Sequence, residues 1–239
     1  LLAVVLASAP ARAESERPDA ERPDVAMYVG MTAGQVTLDS SALSATLARN
    51  GYHTLGANGY GATLYDTLRI GRTRIEIGGG LWTVGARDSR IGSTFGGEAL
   101  ATLGYDIARH GGWYLTPRLG AGVGLAQLCV NGIENDHPLH TGSTFDDALV
   151  NPGSETCLKQ YAFVVRPGAS IAYERGMTPS FEKTGFGYRI GATFGYTIPV
   201  TTTSWERSND LELQQIAGPD APYRGAFVGL EIAFVAGFF

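Results

Sequence analysis

The chain has 239 residues and a formal net charge of -5, with no block of lysines or arginines, which excludes the electrostatic footprint of a nucleic-acid binder. It is 44% hydrophobic but only 17% charged, with 33 glycines and 11 tyrosines, a balance unlike that of a domain whose whole surface meets water. One texture runs from about residue 26 to the C-terminus, so a single domain is expected.

Residues 1–13, LLAVVLASAPARA, form a short apolar run followed by small residues, with Ala11 and Ala13 in an A-x-A cleavage pattern. They read as the remnant of a secretory signal peptide, incomplete because no Met or basic n-region precedes the run. Residues 14–25, ESERPDAERPDV, have almost nothing to bury and read as a disordered periplasmic tail. Residues 26–239 are the expected folded domain. Beyond residue 13 no apolar run reaches 18 residues, so no transmembrane helix is expected.

What recurs instead is alternation. Over residues 186–200, Phe186, Tyr188, Ile190, Ala192, Phe194, Tyr196 and Ile198 share one parity, while Gly187, Arg189, Gly191, Thr193, Gly195 and Thr197 share the other. A strand sends these two sets to opposite faces. Residues 113–125 repeat the pattern. The same reading gives strands at about 26–38, 57–70, 73–86, 94–108, 159–174 and 225–239, eight in all. Each is longer than the roughly five or six residues of an ordinary strand and long enough to cross hydrocarbon when tilted.

Short links at Gly71-Arg72, Arg109–Gly112 and 175–185 alternate with long ones at 39–56, 87–93, 129–158 and 201–224. That is the arrangement of outer-membrane barrels, with short turns periplasmic and long loops extracellular. In the first long loop, Leu43 and Leu47 follow Ser40 and Ser41 at helical spacing, so a short helix over the barrel mouth is one reading and an irregular loop the other. Cys129 and Cys157 make an even count in a secreted chain and are expected to pair, two free thiols being the alternative.

A soluble lipocalin-like barrel also alternates, but it turns its larger apolar residues inward. Here the parity opposite the aromatic stripe carries Arg69, Arg74, Glu76, Glu98, Asp106, Arg118, Arg166, Glu174, Arg189 and Glu231, mostly beside small residues. Arg69, Arg74, Glu76, Glu98, Arg118, Arg166, Arg189 and Glu231 are the expected lumen charge network. The apolar parity is free of charge apart from Asp66, which should lie near an interface unless the register of that strand is shifted. Tyr28, Tyr60, Trp82, Tyr105, Trp113, Tyr173, Tyr188 and Tyr196 are candidates for interfacial girdles.

The last strand, GAFVGLEIAFVAGFF, looks like the C-terminal assembly signal of outer-membrane barrels, carried here by Phe234, Phe238 and Phe239. Val228, Leu230, Ile232, Phe234 and Phe238 form its more apolar row and Glu231 shares parity with Phe239, so Phe238 is taken as the lipid-facing anchor and Phe239 as an overhang. Together with the leader and the strand count, the mature chain resembles the small eight-stranded OmpA/OmpX-like outer-membrane barrels. The resemblance implies an all-β, eight-stranded antiparallel up-and-down transmembrane β-barrel in the cell outer membrane. It also implies contact with lipid and lipopolysaccharide and with the barrel assembly machinery.

Catalytic residues are not expected. His53, His110, His137 and His140 all lie off the strands, and the nearest nucleophile pairing, His140 with Ser143, is a polar loop segment. Asp146-Asp147 with His137 or His140 imitates the rim residues of omptin-like proteases, but those are similar to wider ten-stranded barrels. Glu134, Asp136, Asp146, Asp147 and Glu155 lack the spacing of a calcium loop, and no Gly-Lys-Ser/Thr follows the glycine runs. No metal or cofactor is expected. The expected role is structural or surface-interacting, through loops 129–158 and 201–224. A small gated pore or transporter is the alternative, and a lipid-modifying enzyme has the least support.

Overall fold

The protein is described by a computed structural model covering residues 25–86, 88–131, 144–150, 152, 155–181, 184–209 and 212–238. The leader and the 14–24 segment lie outside these residues, as do Glu134, Asp136, His137, His140, Ser143 and Phe239. In chain order the elements are β1 (Val25–Leu38), α1 (Ser41–Arg49), β2 (Leu55–Ile70), β3 (Thr73–Ala86), β4 (Ile91–Tyr105), β5 (Ala108–His110) and β6 (Trp113–Asn131). Next come α2 (Phe145–Val150), β7 (Glu155–Phe181), β8 (Thr184–Thr202), β9 (Trp205–Asn209), β10 (Glu212–Ile216) and β11 (Gly225–Phe238).

Eight strands, β1, β2, β3, β4, β6, β7, β8 and β11, pair antiparallel in that order, and the ring closes where β11 meets β1. Closure leaves no unpaired edge, which hydrocarbon would penalise at every exposed backbone group. Paired residues followed once around the ring run from Ala26 through Arg69, Arg74, Gly104, Arg118, Gly168, Gly195 and Phe227 to Val36. The row therefore returns to β1 ten residues further on, a stagger that tilts the strands by about 40°. Every residue of this row faces the interior parity.

The outer face follows from the other parity. Val29, Leu64, Ile77, Leu103, Leu119, Ile171, Ile190 and Leu230, one from each barrel strand, are all exposed. A continuous apolar belt of this kind is unstable in water and matches a bilayer core. Among the described residues no helix is long and apolar enough to cross a membrane; the apolar belt lies on the strands. The fold is an all-β, eight-stranded, up-and-down transmembrane barrel.

Glycine lets the wall fit around its contents. A Cβ on Gly96 would lie 2.0 Å from the Trp82 ring, and one on Gly122 would lie 1.9 Å from the carbonyl oxygen of Ala99. Only a residue without a side chain tolerates either approach.

Strand ends differ from the sequence reading. β6 continues to Asn131 and β7 runs from Glu155 to Phe181, so both ends of the 129–158 segment and much of the 175–185 link are strand. Cys129 and Cys157 face each other in register near the top of that ladder and form the disulfide, with Cα atoms 4.0 Å apart. The ladder extends because its inner residues, Leu128, Val130, Leu158 and Ala162, pack beneath a cap.

That cap closes the end opposite the termini. Leu43 and Leu47 of α1, Phe145 and Leu149 of α2, and Trp205, Ile216 and Tyr223 are buried together over Leu38, Val84 and Leu128. Burying Leu43 and Leu47 contributes about 1.5–3 kcal/mol each, which settles the first loop as helix. Asn50, at the C-terminal end of α1, ties the two helices by donating to Asp146 at 2.5 Å. The hairpin of β9 and β10 extends the wall at β7, where Leu158 pairs with Arg207. Two aromatics expected at the interfaces are turned inward: Tyr28 lies in the lumen and Trp82 supports the cap, both buried. Tyr60, Tyr105, Trp113 and Tyr196 are outward and exposed.

Candidate functional site

The barrel interior is built from the charged parity. At the end carrying the termini, Glu174 lies 3.6 Å from Arg69, 3.7 Å from Arg74 and 3.9 Å from Arg189, and it accepts a hydrogen bond from Tyr28 at 3.0 Å. Asp106 accepts from Arg74 at 2.8 Å, from Thr116 at 2.7 Å and from Arg109 at 3.1 Å. Glu231 accepts from Arg189 at 2.6 Å and from Arg118 at 3.1 Å, and Arg118 also lies 3.3 Å from Glu76. The guanidinium of Arg74 stands over both the Tyr28 ring, at 4.9 Å, and the Tyr114 ring, at 5.3 Å. These arginines and carboxylates compensate one another across strands that are far apart in sequence. Removing any single carboxylate would strand buried positive charge.

Arg166 and Glu98 form a separate bidentate pair, with Thr197 accepting from Arg166 at 2.9 Å. Between this pair and the lower network lies a cavity of about 60 Å³, lined among others by Thr32, Thr63, Thr102, Arg118, Arg166 and Gly168. Its lining mixes these groups with Leu100, Phe194 and Phe227, and by volume it has room for a few water molecules. Above it the lumen is filled by the apolar cap.

All eight charges named from sequence line the lumen, six in the lower network and Arg166 with Glu98 in the upper pair. Glu174 and Asp106 prove to be the hubs of the lower network, and their inward parity is visible in the sequence. Arg109 and Tyr28 join it without a comparable signal. Arg109 lies on β5 beside a turn, and Tyr28 resembles any girdle aromatic.

Asp66 is exposed on the outer face, paired with Val29 and Ile77. The register is therefore as read from the sequence, but the expected interface position is not met: the carboxylate lies on the apolar belt, between the outward Leu64 and Leu68. Phe234 is outward and exposed; Phe238 shares its parity, and Phe239 lies outside the described residues.

Among the described residues, the one cluster with metal-ligand composition is Cys129, Glu155 and Cys157. Its sulfurs are bonded to each other, so no thiolate is offered. His53 and His110 are exposed at opposite ends of the barrel. In the β3–β4 loop, Asp88 accepts from the Arg90 side chain at 2.9 Å and from the backbone N–H of His53 at 2.9 Å. The Arg90 contact, more than any other, holds the Asp88 carboxyl below the usual carboxylate range.

No protein-family model matches this chain, and no curated protein matches it. Among solved structures it is similar to the outer membrane protease OmpT from Escherichia coli, at 7% identity over 91% of this chain and 96% of that one, with a TM-score of 0.31. So loose a likeness carries neither activity nor site residues across.

Proposed function

We propose that this chain is an outer-membrane barrel with a plugged lumen, non-enzymatic, whose role is structural or surface-interacting through its capped end. The observation that carries this reading is that the interior is filled twice, by an ion network near the termini and by an apolar cap at the other end. In this orientation the short turns and termini are periplasmic and the cap, formed by segments within loops 39–56, 129–158 and 201–224, faces outward. Its lipid contacts are outer-membrane lipid and lipopolysaccharide, and the strand ending in Phe234, Phe238 and Phe239 is the one offered to the barrel assembly machinery.

Planar-bilayer recording of the refolded protein tests the plug. No persistent single-channel steps are expected. Steps that change size or vanish in Arg118→Ala or Glu231→Gln would favour a gated pore, a second reading supported by the cavity between the two charge groups. Incubation with lipopolysaccharide and phospholipid, followed by mass analysis, is expected to leave both unmodified.

A further inference from the structure

Arg207 of β9 is 3% exposed and lies inside the cap. By register it adjoins Leu158 of β7 and Gln214 of β10. Trp205, two residues earlier and of the same parity, is buried against Phe145 with ring centroids 5.0 Å apart. Nε and Nη1 of Arg207 are buried and have no hydrogen-bond partner among the described residues. The other fully buried arginines, Arg69, Arg74 and Arg189, each lie within 4.0 Å of a carboxylate. Among the described residues Arg207 has none.

A guanidinium cannot escape this by losing its proton, because it stays charged at any pH a folded protein meets. Burial of an unpaired charge is costly enough that such groups are paired or ligand-bound. We propose that Arg207 is the receiving residue of an oxyanion site in the cap, taking a phosphate or carboxylate group. Nε and Nη1 stand at the two ends of the guanidinium with Nη2 between them. Each of its two-donor edges therefore carries one buried donor without a partner among the described residues, and a forked oxyanion matches such an edge better than a spherical anion does. The apolar surroundings strengthen any such contact by excluding competing water. The proposal goes beyond the plugged-barrel reading and does not depend on it, since it concerns the cap alone.

The test uses the full refolded chain in detergent micelles and phosphate-free buffer, with tryptophan fluorescence as the signal because Trp205 lies beside the site. Inorganic phosphate, acetate and lipopolysaccharide are titrated separately. A saturable change is expected with at least one of them, and Arg207→Gln is expected to raise the Kd by roughly tenfold or more. Exposed Arg224→Gln should leave it unaltered. A response to lipopolysaccharide alone, lost in Arg207→Gln, supports the site and assigns the anion to a lipid headgroup. Where Arg207→Gln does not fold, Arg207→Lys keeps the charge and loses the fork, and weakened binding is expected. The proposal is overturned if no probe gives a response that depends on Arg207. It is equally overturned if Arg207→Gln lowers the unfolding midpoint while the wild type ignores every anion, which would assign the guanidinium to a carboxylate of the chain itself.

Discussion

The hydroxyl of Tyr28 donates to Glu174 at 3.0 Å across a separation of 146 residues, joining the first barrel strand to β7 through the middle of the lumen. The same carboxylate lies within 4.0 Å of Arg69, Arg74 and Arg189. Arg74 and Arg189 each have a second carboxylate, Asp106 and Glu231, so Glu174 is the acid that joins those two pairs into one network.

Glu174→Gln keeps the shape and removes the charge. It is expected to lower the stability of the refolded barrel by about 3–5 kcal/mol, the usual cost of breaking a buried pair from one side. Tyr28→Phe should cost about 1 kcal/mol, the net worth of one hydrogen bond. Denaturant midpoints in micelles measure both. A midpoint for Glu174→Gln equal to wild type would remove Glu174 from the centre of the network.

Asp88 gives a pH dependence at the capped end. Its carboxyl is held low, first by the hydrogen bond from the Arg90 side chain and then by the backbone N–H groups of Arg90 and His53. A group whose folded value lies below its unfolded value of about 3.9 stabilises the fold fully above that pH, and the contribution fades as pH falls toward the folded value. Wild type is therefore expected to melt higher than Asp88→Asn at pH 6, and the two Tm curves should converge below about pH 4. A gap that persists unchanged down to pH 2 would contradict the assignment.

The parts legible in the sequence are those governed by a period of two. Parity placed Arg69, Arg118 and Arg189 inside and Ile190, Phe194 and Leu230 outside, because a closed wall leaves each strand residue only two directions. What parity cannot supply is packing between elements distant in sequence. Tyr28 and Trp82 look like girdle aromatics until the partners across the lumen, Glu174 and the cap core, are in place. The extension of β6 and β7 past the belt is hidden for a similar reason. Its inner residues are buried only by a cap whose members, Leu43, Phe145 and Trp205, come from three separate segments.

Cys129 and Cys157 are directly opposed at the top of that extension, with a sequence separation of 28. A bridge closing a loop of this length is worth about 3–4 kcal/mol by loop entropy. In the Cys129→Ser/Cys157→Ser double variant the loss should fall on the cap, because the barrel below is closed by its own pairing. Tryptophan fluorescence is then expected to report cap opening at lower denaturant than the loss of heat-modifiable gel mobility. Coincident transitions would show that cap and barrel unfold as one unit.

Asp66 places a carboxylate on the lipid-facing side of β2, four residues from the Ile70 end and between the outward Leu64 and Leu68. At about 3.3 Å per residue and a tilt near 40°, that is roughly 10 Å above the strand end, inside the apolar belt rather than at its margin. Asp66→Leu is therefore expected to stabilise the barrel in a bilayer by about 1–2 kcal/mol, below the penalty of a basic residue at mid-membrane. In detergent micelles, where water reaches the outer face more easily, the gain should shrink. Reversible unfolding of both variants from thin phosphatidylcholine vesicles and from micelles makes the comparison. A destabilised Asp66→Leu in vesicles would mean that the carboxylate has a polar partner in the membrane plane, and the belt around it would then be a protein contact instead of a lipid one.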